Sequence, residues 1–131
     1  MPTVESDVSP DTSASPVLQG IVRGLLPLYI LTRLADGSAY GTEISSGIAT
    51  MTRGLWLPSP GSLYPTLKRL ESEGHIEGHW ERGPAAPRRV YSLTASGRQL
   101  RDHLRGSLIS DLHAARDVIG VHLEALAQPE A

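Results

Sequence analysis

The spacing of apolar residues in the first half of the chain predicts two short helices. Between residues 25 and 35 three leucines recur at every third position, a spacing that favours a buried helix. Pro27 fits this helix only in the first turn, where a proline costs no intrahelical hydrogen bond. A second helix is predicted over residues 40–52, because its apolar side chains again fall on one face.

A third helix is predicted between residues 59 and 74. Ser59 is a favourable N-cap and Pro60 a favourable first helical residue, whereas Gly74 suits the left-handed turn that ends a helix. The apolar face consists of three leucines: Leu63, Leu67 and Leu70. The opposite face is small and basic through its first three turns, and acidic residues follow only near the C-terminal end.

Beyond residue 75 apolar and polar residues first alternate, and apolar residues then recur at the spacing of a helix. Alternation predicts two strands, over residues 76–81 and 88–93, joined by a turn that contains Gly83 and two prolines. From Ala95 to Ala127 apolar residues step by three or four, which predicts a helix roughly 50 Å long. That length exceeds the width of a small domain, so the helix needs a partner surface.

These elements predict a mainly α protein with a small two-stranded wing. The architecture is a winged helix-turn-helix over residues 17–94, followed by a long C-terminal helix over residues 95–131 that would pack on a partner. Residues 1–16 form an acidic tail rich in Ser, Pro, Asp and Thr. Because this tail is almost devoid of apolar side chains, we expect it to be disordered.

The composition allows one modest domain. With 131 residues and 40% hydrophobic content the chain can bury a single core, and the absence of Cys excludes a disulfide framework. The acidic N-terminus lacks the basic region of a secretory signal. The apolar run over residues 17–31 is too short to span a bilayer and is interrupted by Arg23 and Pro27. We therefore expect a cytoplasmic protein without a membrane segment.

The net charge of −2 hides an uneven distribution along the chain. Residues 1–16 carry a charge of −3 and residues 99–131 a charge of −2, whereas residues 17–98 hold nine basic and six acidic side chains, a net charge of +3. The only positive segment therefore contains the predicted third helix and wing, and this small excess supports a nucleic-acid-binding surface.

The third helix and the wing carry residue types that suit DNA. Small residues let a helix approach in the major groove, where Tyr64 and Lys68 would contact phosphates or bases. Arg88 and Arg89 follow a stiff turn, so their guanidinium groups can reach phosphates or a minor groove. The alternative is that Lys68 lies on an ordinary solvated face, Tyr64 packs under the wing, and the arginines only protect a sheet edge.

The sequence does not favour an enzyme. It contains no phosphate loop, dinucleotide fingerprint or nucleophile elbow, and its five histidines show no metal-ligand spacing. We expect neither a cofactor nor a metal. Trp56 and Trp80 are predicted to pack in a core or an interface.

Three motifs together resemble the PadR family of bacterial transcriptional regulators. They are AYGTEI at residues 39–44, LPSPGSLYPTLKRLESEG at residues 57–74 and PRRVYSLTASGR at residues 87–98, and the resemblance covers roughly residues 21–127. It implies a dimeric winged-helix repressor that binds operator DNA through the third helix and the wing. The implied DNA-contacting residues are Ser59, Gly61, Ser62, Tyr64, Pro65, Lys68, Arg88 and Arg89.

The resemblance also implies how two subunits pair and how they are regulated. Dimerisation would use the first helix and the last one, the latter through Leu104, Leu108, Leu112, Ala115, Ile119 and Leu123. Two recognition helices about one duplex turn apart would read a pseudo-palindromic site in double-stranded DNA. Some members release DNA when an aromatic compound binds at the dimer interface, so a small-molecule effector is a further expectation. The alternative function is a winged-helix protein-interaction module that does not bind DNA.

Overall fold

A computed structural model of the chain describes residues 15–129. The chain divides into two compact units, Met1–Arg101 and Asp102–Ala131. Most of the tail that we predicted to be disordered lies outside the described residues. Its last two residues contradict that prediction, because the Ser15 hydroxyl accepts a hydrogen bond from the Leu18 amide at 3.2 Å and caps a helix that begins at Pro16.

The helix predicted over residues 25–35 is preceded by a separate helix that the apolar pattern did not distinguish. Helix α1 spans Pro16–Gly24 and helix α2 spans Leu26–Ala35. Pro27 lies in the first turn of α2, as predicted. The proline lacks an amide to donate to the carbonyl of Arg23 and its ring crowds that carbonyl, which favours the bend between the two helices. No single helix among residues 15–129 is long and apolar enough to cross a membrane. Helices α1 and α2 would be long and apolar enough only when taken together, and their axes are bent by 52° relative to each other.

The second and third predicted helices are present as α3, Gly41–Met51, and α4, Pro60–Ser72. Helix α3 begins one residue later than expected, because Tyr40 is extended and its amide donates to the Glu43 carboxylate at 2.9 Å. Helix α4 has the predicted ends: Ser59 accepts a hydrogen bond from the Ser62 amide, and Gly74 adopts a left-handed φ of 82°.

Pro65 lies inside helix α4 without ending it. A proline at this position removes the hydrogen bond to the carbonyl four residues earlier, which belongs to Gly61. Gly61 is exposed, so water can satisfy that carbonyl. The helix therefore tolerates the proline where a buried turn would not.

The wing is part of a three-stranded antiparallel sheet, which corrects the predicted two strands. Strands β2, Ile76–Glu81, and β3, Arg88–Leu93, form the expected hairpin. A third strand, β1, consists of Ala39–Tyr40 and pairs with β3, so that the order is β1-β3-β2. Two residues are too few to produce an alternating pattern, and their partner strand is remote in sequence, so this strand left no local signal.

The core lies between helices α2, α3 and α4 and the base of the sheet. Its largest fully buried side chains are Ile30, Leu31, Ile44, Ile48, Trp56, Leu63, Leu67, Leu70 and Ile76. They include all three leucines predicted for the apolar face of α4. The prediction for Trp56 is confirmed, because this side chain is completely buried. Trp80 is 62% exposed, so it is not a core residue of this chain.

The last helix, α5, spans Ala95–Ala127 as predicted, and its first turns belong to the unit Met1–Arg101. The Thr94 hydroxyl donates to the Gly74 carbonyl at 2.7 Å and accepts from the Gly97 amide at 3.0 Å. A Cβ atom at Gly97 would lie 2.1 Å from the backbone oxygen of His75, so only glycine fits there. These contacts fix the start of α5 against the turn that follows α4.

Candidate nucleic-acid interface

Six of the predicted DNA-contacting residues belong to α4 or its N-cap. Four of them are exposed on the outward face: Gly61, Tyr64, Pro65 and Lys68. Ser59 and Ser62 are half-buried, and their hydroxyl groups form a hydrogen bond of 3.3 Å. The outward face of α4 therefore combines small residues, one phenol and one ammonium group.

Tyr64 connects this face to the start of helix α3. Its side chain is 44% exposed, and its phenol ring lies over the Cα atom of Gly41. A Cβ atom at Gly41 would overlap the Tyr64 hydroxyl, so any other residue at this position would displace the Tyr64 ring. Tyr64 thus packs on α3 with part of its ring and remains accessible with the rest.

Arg89, on strand β3, connects the wing to the recognition helix. Its guanidinium group forms an ion pair with the carboxylate of Glu71, and both side chains are about one-third exposed. It lies across Gly78, where an added Cβ atom would approach it to 2.6 Å, and 5.5 Å from the centroid of the Trp80 ring. The charge of Arg89 is therefore largely compensated within the chain.

Arg88 points to the other side of the strand and has a different environment. Its side chain is exposed, and its guanidinium carbon lies 3.5 Å from the centroid of the Tyr40 ring. The Tyr40 hydroxyl donates a hydrogen bond to the carboxylate of Glu81. Because this hydrogen bond stabilises the protonated phenol, and burial acts in the same direction, the pKa of Tyr40 is raised above its usual value.

Helix α4 and the wing line an open cleft with a volume of about 470 Å³, which we name the wing cleft. Four aromatic rings and two arginines line it: Tyr40, Tyr64, Trp80, Tyr91, Arg88 and Arg89. Burial raises the pKa of Tyr91 above its usual value.

Sequence reasoning missed Tyr40, Trp80 and Tyr91 as members of this surface. The strand alternation could have found one of them, because the hairpin register places Trp80 directly opposite Arg89. Tyr40 carried no such signal, since it reaches the cleft only through the pairing of β1 with β3.

Histidines and acidic residues do not gather into a metal site in the part of the chain that the structure describes. His75 forms a hydrogen bond of 2.7 Å with the Ser96 hydroxyl, and His79 lies 3.6 Å from the Glu77 carboxylate on the same strand. Both histidines therefore have local polar partners.

The residues predicted for dimerisation form one stripe along α5. At about 100° per residue, all six fall within about 100° of the helix circumference: Leu104, Leu108, Leu112, Ala115, Ile119 and Leu123. Leu112 and Leu123 are 40% and 62% exposed, and Ile119 is 39% exposed. The unit Asp102–Ala131 thus presents an uncovered apolar stripe.

Comparison with known proteins supplies the family. Residues 30–103 match the model of the transcriptional regulator PadR-like family. The chain is 34% identical over 98 residues to the transcriptional regulator Rv3488 of Mycobacterium tuberculosis, covering 75% of this chain and 86% of that protein.

Solved structures agree with this match. A PadR family transcriptional regulator from Eggerthella lenta superposes with a TM-score of 0.63 at 28% identity, covering 82% of this chain and 89% of its own. Bacillus subtilis PadR, solved in complex with operator DNA, superposes with a TM-score of 0.54 at 30% identity, covering 60% of this chain and 45% of its own. The chain therefore belongs to the PadR-like family of transcriptional regulators.

Proposed function

We propose that this transcriptional regulator acts as a homodimeric repressor that binds double-stranded DNA through helix α4 and the wing. One observation carries the proposal: Tyr64 of α4 and Arg88 of the wing line the same cleft on the exposed side of the molecule. A helix in the major groove and a basic hairpin beside it bind one duplex in winged-helix proteins. The structure of the similar Bacillus subtilis PadR in complex with operator DNA supports DNA as the ligand.

The charges along α4 suit this orientation. Lys68 is exposed within the helix, and the acidic residues Glu71 and Glu73 lie only at its C-terminal end. Glu71 is paired with Arg89, so its repulsion of phosphate is reduced. We propose that Ser59, Gly61, Ser62, Tyr64, Pro65 and Lys68 face the groove and that Arg88 contacts the flanking backbone. Arg89, which the sequence predicted as a second contact, is paired with Glu71 and is not part of this proposal.

We further propose that the apolar stripe of α5 forms the dimer interface. Three of its large side chains are at least 39% exposed in a single chain, and burying them against a second copy would recover their hydrophobic free energy. In this proposal residues 17–94 bind DNA and residues 95–131 form the contact between the two subunits. A two-fold dimer would then read a pseudo-palindromic operator.

The decisive experiment is selection of bound fragments from a random-sequence duplex pool. We expect enrichment of a sequence with two inverted half-sites whose centres lie about one helical turn apart. A protein-interaction module would enrich no sequence at all. The position of the enriched site in a promoter, tested with a reporter gene, then distinguishes repression from activation.

Replacing Lys68 with alanine should weaken binding and flatten its salt dependence. Each lost phosphate contact lowers the slope of log K against log salt concentration by about 0.9. The measurement is a titration of the selected duplex by fluorescence anisotropy between about 50 and 200 mM salt. Lys68→Arg keeps the charge and serves as the matched control, for which the slope should be unchanged. A Lys68→Ala protein with the wild-type slope would contradict a phosphate contact at this residue.

A small-molecule effector at the dimer interface stays a prediction of the family resemblance. A thermal shift screen with aromatic compounds tests it, and a bound effector should raise the melting temperature and release the duplex. Because the proposed ligand is chromosomal DNA, we propose that the protein acts in the cytoplasm.

A further inference from the structure

Tyr40 contacts two opposite charges at the end of the wing that would otherwise contact each other. Glu81 and Arg88 face each other across the last pair of the β2–β3 ladder. Opposite charges at facing positions of an antiparallel pair attract and ordinarily pair. Here the Glu81 carboxylate accepts a hydrogen bond from the Tyr40 hydroxyl instead, and the Arg88 guanidinium stacks on the Tyr40 ring. Among the described residues no ion pair joins Glu81 to Arg88.

The stacked geometry determines what Arg88 can still bind. A separation of 3.5 Å between the guanidinium carbon and the ring centroid is that of two planar groups in face contact. In such a stack the face of the guanidinium is occupied, while its N–H donors point outward in the plane of the group. Those donors match the oxygen atoms of a phosphate in a bidentate hydrogen bond. Arg88 is exposed and lines the wing cleft, so a phosphate can reach them.

The neighbouring arginine has no such freedom. The guanidinium group of Arg89 is paired with Glu71 and lies against Gly78. The wing therefore holds one arginine whose charge is compensated by a carboxylate and one whose nearby carboxylate is engaged by a tyrosine. The difference between them comes from Tyr40.

We propose that Tyr40 is a positioning residue for DNA binding, which holds Arg88 with its ring and Glu81 with its hydroxyl so that Arg88 binds a backbone phosphate at the wing cleft. This proposal rests on the proposed function and deepens it. Tyr40 acts on DNA through Arg88 and needs no contact of its own. The raised pKa of Tyr40 is consistent with this role, since the hydroxyl remains a donor throughout the neutral range.

The first test is a double-substitution cycle of Tyr40→Phe and Glu81→Gln. Phenylalanine keeps the stacking ring but frees the Glu81 carboxylate to pair with Arg88, so affinity for a labelled mixed-sequence duplex of about three helical turns should fall roughly two- to fivefold. Glu81→Gln removes a negative charge near DNA and should strengthen binding in either background. It should do so by a larger factor in the Tyr40→Phe protein, because there it also releases Arg88. Equal factors in both backgrounds would overturn the proposal.

The second test uses the salt dependence, which a purely structural role does not change. Arg88→Ala should lower affinity about tenfold and the salt slope by about 0.9 per wing. Tyr40→Leu, which removes the stack, should lower affinity roughly two- to fivefold and reduce the slope. In the Arg88→Ala background Tyr40→Leu should have no further effect. An equal loss in both backgrounds would show that Tyr40 acts independently of Arg88.

Thermal unfolding followed by circular dichroism verifies that each variant is folded. If the Tyr40→Leu protein does not fold, the cycle of Tyr40→Phe and Glu81→Gln is sufficient to decide the proposal.

Failure of the proposed DNA binding and failure of the proposed role of Tyr40 give different results. If the wild-type protein binds no duplex at any salt concentration, the proposed function fails and this role of Tyr40 fails with it. If the wild-type protein binds and both cycles are additive, DNA binding stands and only the role of Tyr40 is lost.

Discussion

Replacing Trp56 with alanine is expected to reduce the free energy of unfolding by about 3–5 kcal/mol. This side chain is completely buried, and the Thr52 hydroxyl oxygen stabilises the turn before it by accepting a hydrogen bond from the Trp56 amide at 3.1 Å. Removing the indole leaves a cavity that the surrounding close-packed side chains can fill only in part. Urea unfolding followed by circular dichroism measures the loss as a lower midpoint at an unchanged slope.

The other tryptophan supplies the matched control. Trp80 is 62% exposed, so Trp80→Ala should cost less than about 1 kcal/mol, most of it from the lost contact with Arg89. All three proteins must be compared at one concentration, because the proposed dimerisation would add to the apparent stability. Equal losses for the two substitutions would contradict the assignment of Trp56 to the core and Trp80 to the surface.

Introducing glutamate at both Leu112 and Ile119 is expected to produce a monomer and to lower DNA affinity roughly 100-fold or more. These side chains lie two turns apart on the apolar stripe of α5 and are 40% and 39% exposed in a single chain. Two buried carboxylates per subunit would be intolerable in the proposed interface. A monomer would bind each half-site separately and lose the gain in effective concentration that links them. Sedimentation analysis and anisotropy titration measure the two effects.

A charge-matched control is available on the opposite face of the same helix. Ser110 and Val121 are exposed there, so the variant with glutamate at both positions carries the same added charge away from the stripe. It should remain a dimer and lose only a small part of its affinity. A dimer that survives glutamate at Leu112 and Ile119 would refute the proposed interface, whereas dissociation of both variants would attribute the effect to charge alone.

The parts of the fold that could be predicted are those with local causes. The ends of α4 follow from Ser59 and Gly74, which act on the backbone next to them. The hairpin follows from alternation on either side of a turn rich in proline and glycine. By contrast, α1 was missed because its apolar residues continue those of α2, and only the backbone geometry at Pro27 separates the two helices.

The candidate site shows the same division between local and distant causes. The residue types on the outward face of α4 and at the base of the wing turn were evident from spacing alone. The cleft they share was not, because it depends on Tyr40, which reaches the wing through a strand of two residues paired with a partner about fifty positions away. No window of sequence contains both halves of such a pairing.

The amino-acid sequence by itself determined that a small basic helix surface is followed by an arginine-bearing hairpin and a long apolar helix, since caps, turns and periodicity act within a few residues. Only the tertiary structure decided what two adjacent arginines do. Successive side chains of a strand point to opposite faces, so Arg89 meets Glu71 of α4 while Arg88 meets the ring of Tyr40. These partners come from distant segments, and they determine which of the two charges is left for a ligand.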